Sequence, residues 1–273
     1  MPGERTDGWS LIETPERAAE AAASIIRRGG AAASVHLRRR ALSLLDLKGG
    51  EIVVDVGAGA GVVTADLAKL VAPGGRVFAV DRSALLLERA RDFVRDAGVG
   101  HQVDIRVADA RSMPFGAAFD AAVCQWLLLH VDDPAAVLTE MKRVTRRGGR
   151  VLALEMDWET AIVQPGDREV TRRILHLASD RHVDPWIGRR LPGLFAATGF
   201  ADASIHPMML LDQGGEDRVW LDWLMERAAA ALEAAVITRD DYAAWTNDLE
   251  AAFAGNRFLF GVVQFAVLGY VPA

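Results

Sequence analysis

Residues 53–61, Val-Val-Asp-Val-Gly-Ala-Gly-Ala-Gly, decide the fold of this chain of 273 residues. The strand predicted at 52–56 carries β-branched side chains on both faces, which is typical of a strand buried in a parallel sheet. Apolar residues then follow at helical spacing from Val62 to Leu70. The glycines therefore lie at a turn from a strand into a helix. At such a turn, backbone N–H groups and the helix dipole favour a nucleotide-like ligand.

The spacing of the glycines separates two kinds of nucleotide site. A dinucleotide fold has the pattern G-x-G-x-x-G, which from Gly57 and Gly59 would require a glycine where this chain has Val62. The third glycine is Gly61 instead, so the pattern from Asp55 onward is D-x-G-x-G-x-G. A carboxylate ahead of the turn would repel a pyrophosphate but could pair with an amino group. A tight glycine turn that binds no ligand is the alternative.

Polar residues also follow the next three predicted strands, in chain order. They are Asp81 after the strand at 76–80, Asp109 after 103–107, and Gln125 and Trp126 after 119–124. Taken singly, each acid is more commonly a solvated strand end or a helix cap. Because the carboxyl ends of parallel strands meet at one edge of a sheet, the four strand ends together favour one shared ligand site.

The sequence resembles the class I S-adenosylmethionine (SAM) methyltransferases, and most closely their ubiquinone/menaquinone-methyltransferase-like small-molecule branch. The resemblance rests on the D-x-G-x-G-x-G motif and on the segments 108–115, 129–134 and 146–152. It implies SAM as the cofactor. The residues that it implies for cofactor binding are Asp55, Gly57, Ala58, Gly59, Gly61, Asp81, Arg82, Asp109, Ala110, Gln125 and Trp126.

Within this set, the resemblance implies separate contacts for the parts of SAM. Asp55 would pair with the methionine amino group, directly or through water. Asp81 would take the ribose hydroxyls, and Asp109 would lie near the exocyclic amine of the adenine. Gln125 and Trp126 would lie beside the methionine half.

The resemblance and the alternation of strands and helices predict an α/β fold. We expect a Rossmann-like, seven-stranded, mostly parallel sheet in the order 3-2-1-4-5-7-6, with the last strand antiparallel, N-terminal helices and helical lid insertions. Residues 1–273 would form a single methyltransferase domain. Its parts would be an N-terminal helical cap at 1–48, a SAM-binding core at 49–157, and lid insertions at 158–190 and 212–258.

Local signals set the bounds of several elements. A helix is predicted at 15–28, stopped by Gly29 and Gly30, and a second helix at 34–47. The fifth strand is predicted at 150–156.

The lid segments are rich in large apolar side chains. Five of the seven tryptophans lie after residue 157, together with three methionines. Any one of them is more often plain core. As a set, they favour an enclosed, largely apolar cavity with a few polar groups. A small aromatic or aliphatic molecule fits such a cavity better than a protein tail, so we expect a small-molecule acceptor.

Three side chains are candidates for acid–base catalysis or acceptor contact, namely His130, His182 and Glu155. His36 could face the cleft and Asp157 could orient the acceptor, although structural roles are the commoner explanation for each histidine. A phenol or thiol loses its proton with modest help, whereas an alcohol or a ring carbon profits from a positioned base. No His/Asp/Glu cluster has the spacing of metal ligands, so we expect no metal.

Composition argues against nucleic acid as the substrate. The formal charge of −6 gives no general attraction for phosphate backbones. Two arginine clusters, at 38–40 and 146–150, lack the interleaved aromatic residues that stack on bases. Both are expected to be solvated helix faces.

Other bulk features favour a cytoplasmic protein without a membrane span. The single cysteine, Cys124, rules out an intrachain disulfide and suggests a reducing compartment. Residues 1–10 are polar, with no apolar core of a signal peptide. The longest apolar run, at 258–271, is too short to span a bilayer. Monomer and homodimer both stay open, because the apolar helices of the second half would equally suit a dimer surface.

Several functions are compatible with these features. The first is a SAM-dependent methyltransferase of small, largely apolar molecules, with natural-product O-methylation ahead of C-methylation of a quinone-like ring. The second is a non-catalytic SAM-binding or regulatory protein, whose lid cavity would be blocked by side chains. An NAD-linked oxidoreductase is disfavoured by Val62 in the glycine turn.

Overall fold

The computed structural model describes residues 14–214 and 217–273, so the first residues of the predicted cap lie outside it. One sheet has the strand order β3-β2-β1-β4-β5-β7-β6. Its strands are β1 Ile52–Val56, β2 Arg76–Asp81, β3 Val103–Val107, β4 Phe119–Gln125, β5 Thr145–Gln164, β6 Ala201–Asp212 and β7 Leu259–Tyr270. The strands β1 to β5 pair in parallel, whereas β7 is antiparallel to β5 and β6. The predicted fold class and strand order are confirmed.

Helices connect and flank these strands. Those of the described residues are α1 Pro15–Gly30, α2 Ala32–Ser43, α3 Val62–Leu70, α4 Ala84–Asp96, α5 Pro134–Val144, α6 Arg168–Ser179, α7 Ile187–Ala197, α8 Val219–Glu233 and α9 Arg239–Ala254. Parallel strands need crossover connections, and α3, α4 and α5 supply them between β1 and β2, β2 and β3, and β4 and β5. A short 3₁₀ turn, Leu128–His130, follows β4.

The strand order reverses at β1, and this reversal positions the site. Val54 pairs with Phe78 of β2 on one side and with Ala122 of β4 on the other. The connections that leave β1 and β4 therefore diverge, which opens a crevice at the carboxyl ends of these strands. The glycine turn at 57–61 lies directly at this crevice.

The strand β5 is longer than predicted. It continues to Gln164 and pairs again with β7 after a register shift beyond Asp157. The Thr160 hydroxyl bridges this irregularity, because it donates to the carbonyl of Asp157 at 2.7 Å and accepts from the N–H of Val263 at 2.9 Å. Residues 158–164 of the predicted lid are therefore part of the sheet, and the helical part of this insertion begins with α6.

The two N-terminal helices divide at Ala31 and not at the predicted glycine pair. The first helix continues through Gly29 and Gly30, and the second ends at Ser43. A Cβ at Gly29 would lie 2.9 Å from the Val62 side chain at the start of α3. This glycine therefore allows α1 to approach the helix of the glycine turn, and it does not end α1.

The lid helices α8 and α9 fill the connection between β6 and β7. Trp220 and Trp245 are buried in the main core, and the Trp245 indole N–H donates to the Thr171 hydroxyl at 2.8 Å. These two tryptophans are therefore part of the hydrophobic core, which is the commoner role for any one tryptophan of the lid segments. Within the described ranges, no helix combines the length and apolarity that crossing a bilayer requires.

The contact between α7 and β5 generates a stability prediction with a matched control on the same helix. A Cβ at Gly188 would lie 3.0 Å from the carbonyl oxygens of Glu155 and Met156, whereas a Cβ at Gly193 meets nothing within 4 Å. We expect Gly188→Ala to be less stable than Gly193→Ala by about 1–3 kcal/mol in urea unfolding, because overpacking outweighs the gain in helix propensity. Equal stability of the two variants would contradict this packing.

Candidate cofactor and acceptor site

A cavity of about 500 Å³ lies at the carboxyl ends of β1, β2 and β4. Its walls include Asp81 and Asp109, which are predicted cofactor residues, and also Trp158, His182 and Trp223 from the second half of the chain. One continuous cavity therefore joins the predicted cofactor region to the aromatic residues of the second half.

The glycine turn is held by the neighbouring strand β2. The N–H groups of Gly57 and Ala58 both donate to the carbonyl of Val80, at 2.8 and 2.9 Å. Gly57 has a φ of 77°, and a Cβ there would lie 2.9 Å from the Leu127 side chain. A residue with a side chain would be strained and crowded at this position. Gly57, Ala58 and Gly59 all line the cavity.

Asp81 joins the end of β2 to the glycine turn. One carboxylate oxygen accepts from the N–H of Gly59 and the other accepts from the N–H of Ser83, each at 2.9 Å. Burial raises the pKa of Asp81, and the two backbone N–H groups oppose that rise. Each carboxylate oxygen can accept more than one hydrogen bond. Asp81 and its neighbour Arg82 both line the cavity, where a pair of ligand hydroxyls can reach this carboxylate.

Two residues of the glycine motif are placed away from the cavity. The buried carboxyl group of Asp55 accepts from the Thr64 hydroxyl at 2.5 Å, and burial raises its pKa to about 7. It links β1 to α3, which does not match the predicted direct contact with a methionine amino group. Gly61 has a φ of 85°, and a Cβ there would lie 3.1 Å from the side chain of Ala90 on α4. This glycine serves the turn and the packing of α4.

Four other predicted cofactor residues line the cavity. Asp109 pairs with Arg111 at 2.6 Å, and this guanidinium lowers the pKa of Asp109 to about 2. Ala110 follows it in the cavity wall, and Gln125 and Trp126 line the cavity after β4. Trp126 has a φ of 55°, and its indole N–H donates to the Gln264 side chain at 3.2 Å.

Glu155 lies outside the cavity wall, so the structure contradicts its predicted contact with the acceptor. Its side chain is fully buried, and one carboxyl oxygen accepts from the N–H groups of Leu127 and Leu128 at 2.9 and 2.7 Å. Burial raises the pKa of Glu155 to about 8. It fixes the segment between Trp126 and His130, and it is therefore a positioning residue.

Two further candidates are also placed elsewhere. Asp157 is buried and forms an ion pair with Arg189, whose second guanidinium nitrogen donates at 2.7 Å. His36 is exposed on α2 and is absent from the cavity wall. Neither side chain is in a position to contact an acceptor inside the cavity.

The cavity brings His130 and His182 together from different elements. Their ring centroids are 5.7 Å apart, and the His182 ring stacks on Trp158 at 5.1 Å. Burial lowers the pKa of each to about 3, and nearby positive charge contributes, from Arg28 for His130 and from Arg227 for His182. Both imidazoles are therefore neutral at physiological pH, and a neutral imidazole has one ring nitrogen that accepts a hydrogen bond.

Several arginines line the cavity that were not predicted as site residues from the sequence. Arg28, Arg181 and Arg227 line it, and so does Arg38. Arg38 is buried, and it donates to Asp66 at 2.8 Å and to the carbonyl of Gly29 at 2.9 Å. The prediction that the arginine cluster at 38–40 is a solvated face is wrong for this residue. The helical periodicity of the sequence could have predicted that Arg38 is buried, because Arg38 lies with Leu37 and Ala41 on the buried face of α2.

The residues present fit SAM as the ligand. The cavity offers a carboxylate at the end of β2 for a diol, and Ala108, Ala110 and Leu86 give apolar surface for a planar base. The left-handed glycines keep side chains off the turn, so backbone can approach the ligand. Asp81, Arg82, Asp109 and Ala110 would hold the adenosine part. In the part of the chain described, no three His, Cys, Asp or Glu side chains are grouped as metal ligands.

Comparison with known proteins agrees with this assignment. Residues 54–153 match the methyltransferase domain family. The chain is 34% identical over 195 residues to a 37.1 kDa protein of transposon TN4556 from Streptomyces fradiae, which covers 70% of this chain and 56% of that protein. It is 35% identical over 115 residues to a ubiquinone/menaquinone biosynthesis C-methyltransferase of Hahella chejuensis, covering 42% of this chain and 46% of the relative.

A solved structure shares the fold. A Bacillus halodurans C-125 protein described as a methyltransferase superposes with a TM-score of 0.60 at 20% identity, over 86% of this chain and 99% of that one. The chain spans only about half the length of the two sequence relatives. The resemblance to the class I SAM-dependent methyltransferases and the expectation of SAM as cofactor are confirmed.

The buried carboxyl group of Glu155 generates a pH prediction. Its pKa is about 8 in the folded protein against an ordinary 4.5, so between these values the folded state keeps a proton that the unfolded state has lost. This contribution to stability is full below pH 4.5 and disappears as pH rises towards 8, at up to about 1.4 kcal/mol per pH unit. Relative to wild type, Glu155→Gln should gain stability as pH rises, because its amide keeps an acceptor and does not titrate.

Urea unfolding at pH 5, 6.5 and 8 measures this difference. His130 and His182 contribute equally to the pH dependence of stability in wild type and in Glu155→Gln. The difference between the two proteins therefore reports on Glu155 alone. Glu20→Gln, an exposed position on α1, is the control and should follow wild type. Parallel pH profiles for wild type and Glu155→Gln would contradict the assignment of a protonated carboxyl.

Proposed function

We propose that this chain, whose residues 54–153 form a methyltransferase domain of the class I SAM-dependent kind, transfers a methyl group to a small, largely apolar molecule. One observation carries the proposal: a single cavity links the carboxylate of Asp81 to the His130–His182 pair and the aromatic residues around it. A cofactor held at the glycine turn and an acceptor beside the histidines would then share one cavity.

The chemistry requires little from the protein beyond placement. SAM, when bound, supplies an electrophilic methyl group on a sulfonium. The residues of this chain hold the acceptor in line, and Trp158 and Trp223 exclude water from that part of the cavity. The neutral imidazoles of His130 and His182 would accept a hydrogen bond from an acceptor hydroxyl and so orient its oxygen towards the methyl group.

We favour O-methylation in a natural-product pathway as the reaction, because two neutral imidazoles that can accept a hydrogen bond from a hydroxyl line the cavity. A second candidate is C-methylation of a quinone-like ring. It is supported by the C-methyltransferase of Hahella chejuensis, which this chain resembles over less than half of its length. The position of the new methyl group in the product, on oxygen or on ring carbon, separates these reactions by NMR.

A non-catalytic SAM-binding role is less well supported. Such a protein would have its acceptor region blocked by side chains, whereas the cavity extends past the glycine turn to Trp223. The buried free thiol of Cys124 suits the reducing cytoplasm, which we propose as the compartment.

The role of Asp81 generates a binding prediction. Asp81→Ala should weaken the affinity for S-adenosylhomocysteine (SAH), the demethylated cofactor, by about 100-fold, because it removes two charge-assisted hydrogen bonds to the ribose and frees the N–H of Gly59. Isothermal titration calorimetry measures this affinity. Asp104→Asn, on the adjacent strand and paired with Arg106, is the matched control and should bind like wild type. Unchanged affinity in Asp81→Ala would count against the cofactor site.

The histidine pair generates a kinetic prediction. With the best phenol from an acceptor panel, His130→Gln and His182→Gln should each lower the methylation rate by roughly 100-fold, because the amide does not reproduce the position of the ring nitrogen that orients the acceptor hydroxyl. The SAH affinity should be unchanged. His176→Gln, exposed on α6, is the control.

The pH profile of the methylation rate tests whether the histidine pair is buried and neutral. Since both pKa values are about 3, the wild-type rate should stay flat from pH 8 to 5 when protonation of the histidines is the only titration involved. A rate that falls with a midpoint at the ordinary histidine value of 6.5 would contradict the buried, neutral pair.

A further inference from the structure

We propose that the acceptor carries an acidic group, a carboxylate or a phosphate, which is bound by an arginine cluster made of Arg28, Arg181 and Arg227. This inference rests on the proposed function and specifies the class of its substrate. It changes the expectation of a largely apolar acceptor to that of an apolar molecule with one anionic end.

Three separate elements bring the cluster to the cavity. Arg28 comes from α1, Arg227 from α8, and Arg181 from the segment that follows α6, and all three line the same cavity as the two histidines. A cap helix and both lid insertions thus each contribute one guanidinium. The local sequence of each element does not predict that the three arginines lie close together.

The cluster has three positive charges and one nearby carboxylate, Glu226, whose charge acts on Arg28 and Arg227. The hydrogen bond described for the Arg28 guanidinium is a long one, at 3.4 Å, to the carbonyl of Ser24 in its own helix. Among the ion pairs of the described residues, none involves Arg28 or Arg181. Arg227 pairs with Glu226 at 3.1 Å, but this carboxylate is 58% exposed, and the Nε–H of Arg227 is buried without a partner.

The positive charges of the cluster also oppose one another. Burial and the charge of Arg227 together lower the pKa of Arg28 to about 10, and the charge of Glu226 opposes this shift. Burial also lowers the pKa of Arg227, with Arg181 adding to the effect. Partly buried cations that repel each other are stabilised by an anion between them, and guanidinium groups bind carboxylate and phosphate oxygens with two parallel hydrogen bonds.

The other charged residues of the cavity are committed elsewhere. Asp109 is paired with Arg111, and Asp81 accepts from the backbone of the glycine turn. Arg38 is neutralised by Asp66. Asp132 also lines the cavity, and its charge acts on Arg111, away from the cluster. The charge of Arg82 acts on Asp81 and Asp109. The excess positive charge therefore lies at the cluster, where Glu226 offsets part of it.

An aromatic wall runs from the cluster to the histidine pair. The Arg227 guanidinium lies over the Trp223 ring at 5.2 Å, and Trp223 stacks on Trp158 at 5.0 Å. Trp158 in turn stacks on His182. These rings are stacked face to face, so the wall presents their edges to the cavity, and an apolar molecule lying along these edges would have its anionic end at Arg227 and its opposite end near the imidazoles. The acceptor atom is thus expected on the far side of the molecule from its acid group.

Calorimetry with matched probes tests this proposal on the full chain saturated with SAH. The probes are 2-naphthoate, 2-naphthyl phosphate and the neutral isostere 2-naphthamide. At least one anionic probe should bind about 10-fold more tightly than the amide, and the better of the two anions identifies the acid group. Arg28→Gln and Arg227→Gln should each reduce this preference to about twofold or less, since each removes charge-assisted hydrogen bonds. Arg39→Gln, exposed on α2 and outside the cavity wall, should preserve it.

The outcomes separate the acceptor site from the cofactor site. Equal affinity for amide and anions, no binding of any probe, or a preference that survives both substitutions would overturn the proposal. Loss of SAH affinity in Arg28→Gln would also overturn it, because the cluster would then serve the cofactor. Failure of wild type to bind SAH would instead contradict the proposed function, and the probe series without SAH would still test the cluster.

Discussion

The site depends on one hydrogen bond, from the N–H of Gly59 to the carboxylate of Asp81. It joins the turn after β1 to the end of β2, and it forms only because the two strands run parallel in register, with Val56 opposite Val80. The carboxylate is thereby held at the cavity wall, while the left-handed glycines keep the backbone open to a ligand. The geometry of the cofactor half of the site is consequently set by the backbone, which fixes the position of the Asp81 carboxylate.

Two buried carboxyl groups support the site from behind the cavity wall. Asp55 connects β1 to α3 through Thr64, and Glu155 holds the segment that leads from β4 to His130. Both have raised pKa values because they are removed from water. From the sequence they are indistinguishable from ligand-binding acids, since both lie at the carboxyl ends of parallel strands. Whether such an acid faces the crevice or the neighbouring element depends on tertiary packing, which the local pattern does not contain.

The features that were predicted correctly are those encoded locally or carried by the family resemblance. The glycine turn and the strand order belong to this group. The length of β5 was missed because its second half, beyond Asp157, is stabilised by pairing with residues of β7 about a hundred positions later in the chain. Arg28 and Arg227 were missed for the same reason. They lie on different helices, and only the packing of α1 and α8 around the cavity brings them together.

The central claim is that one cavity holds the cofactor at Asp81 and an acceptor beside the histidines. A crystal structure of the chain with SAH tests it most directly. The account predicts both ribose hydroxyls on the Asp81 carboxylate, the adenine beside Asp109 and Ala110, and the sulfur end directed towards the His130–His182 part of the cavity. SAH bound elsewhere, or with its ribose away from Asp81, would contradict it.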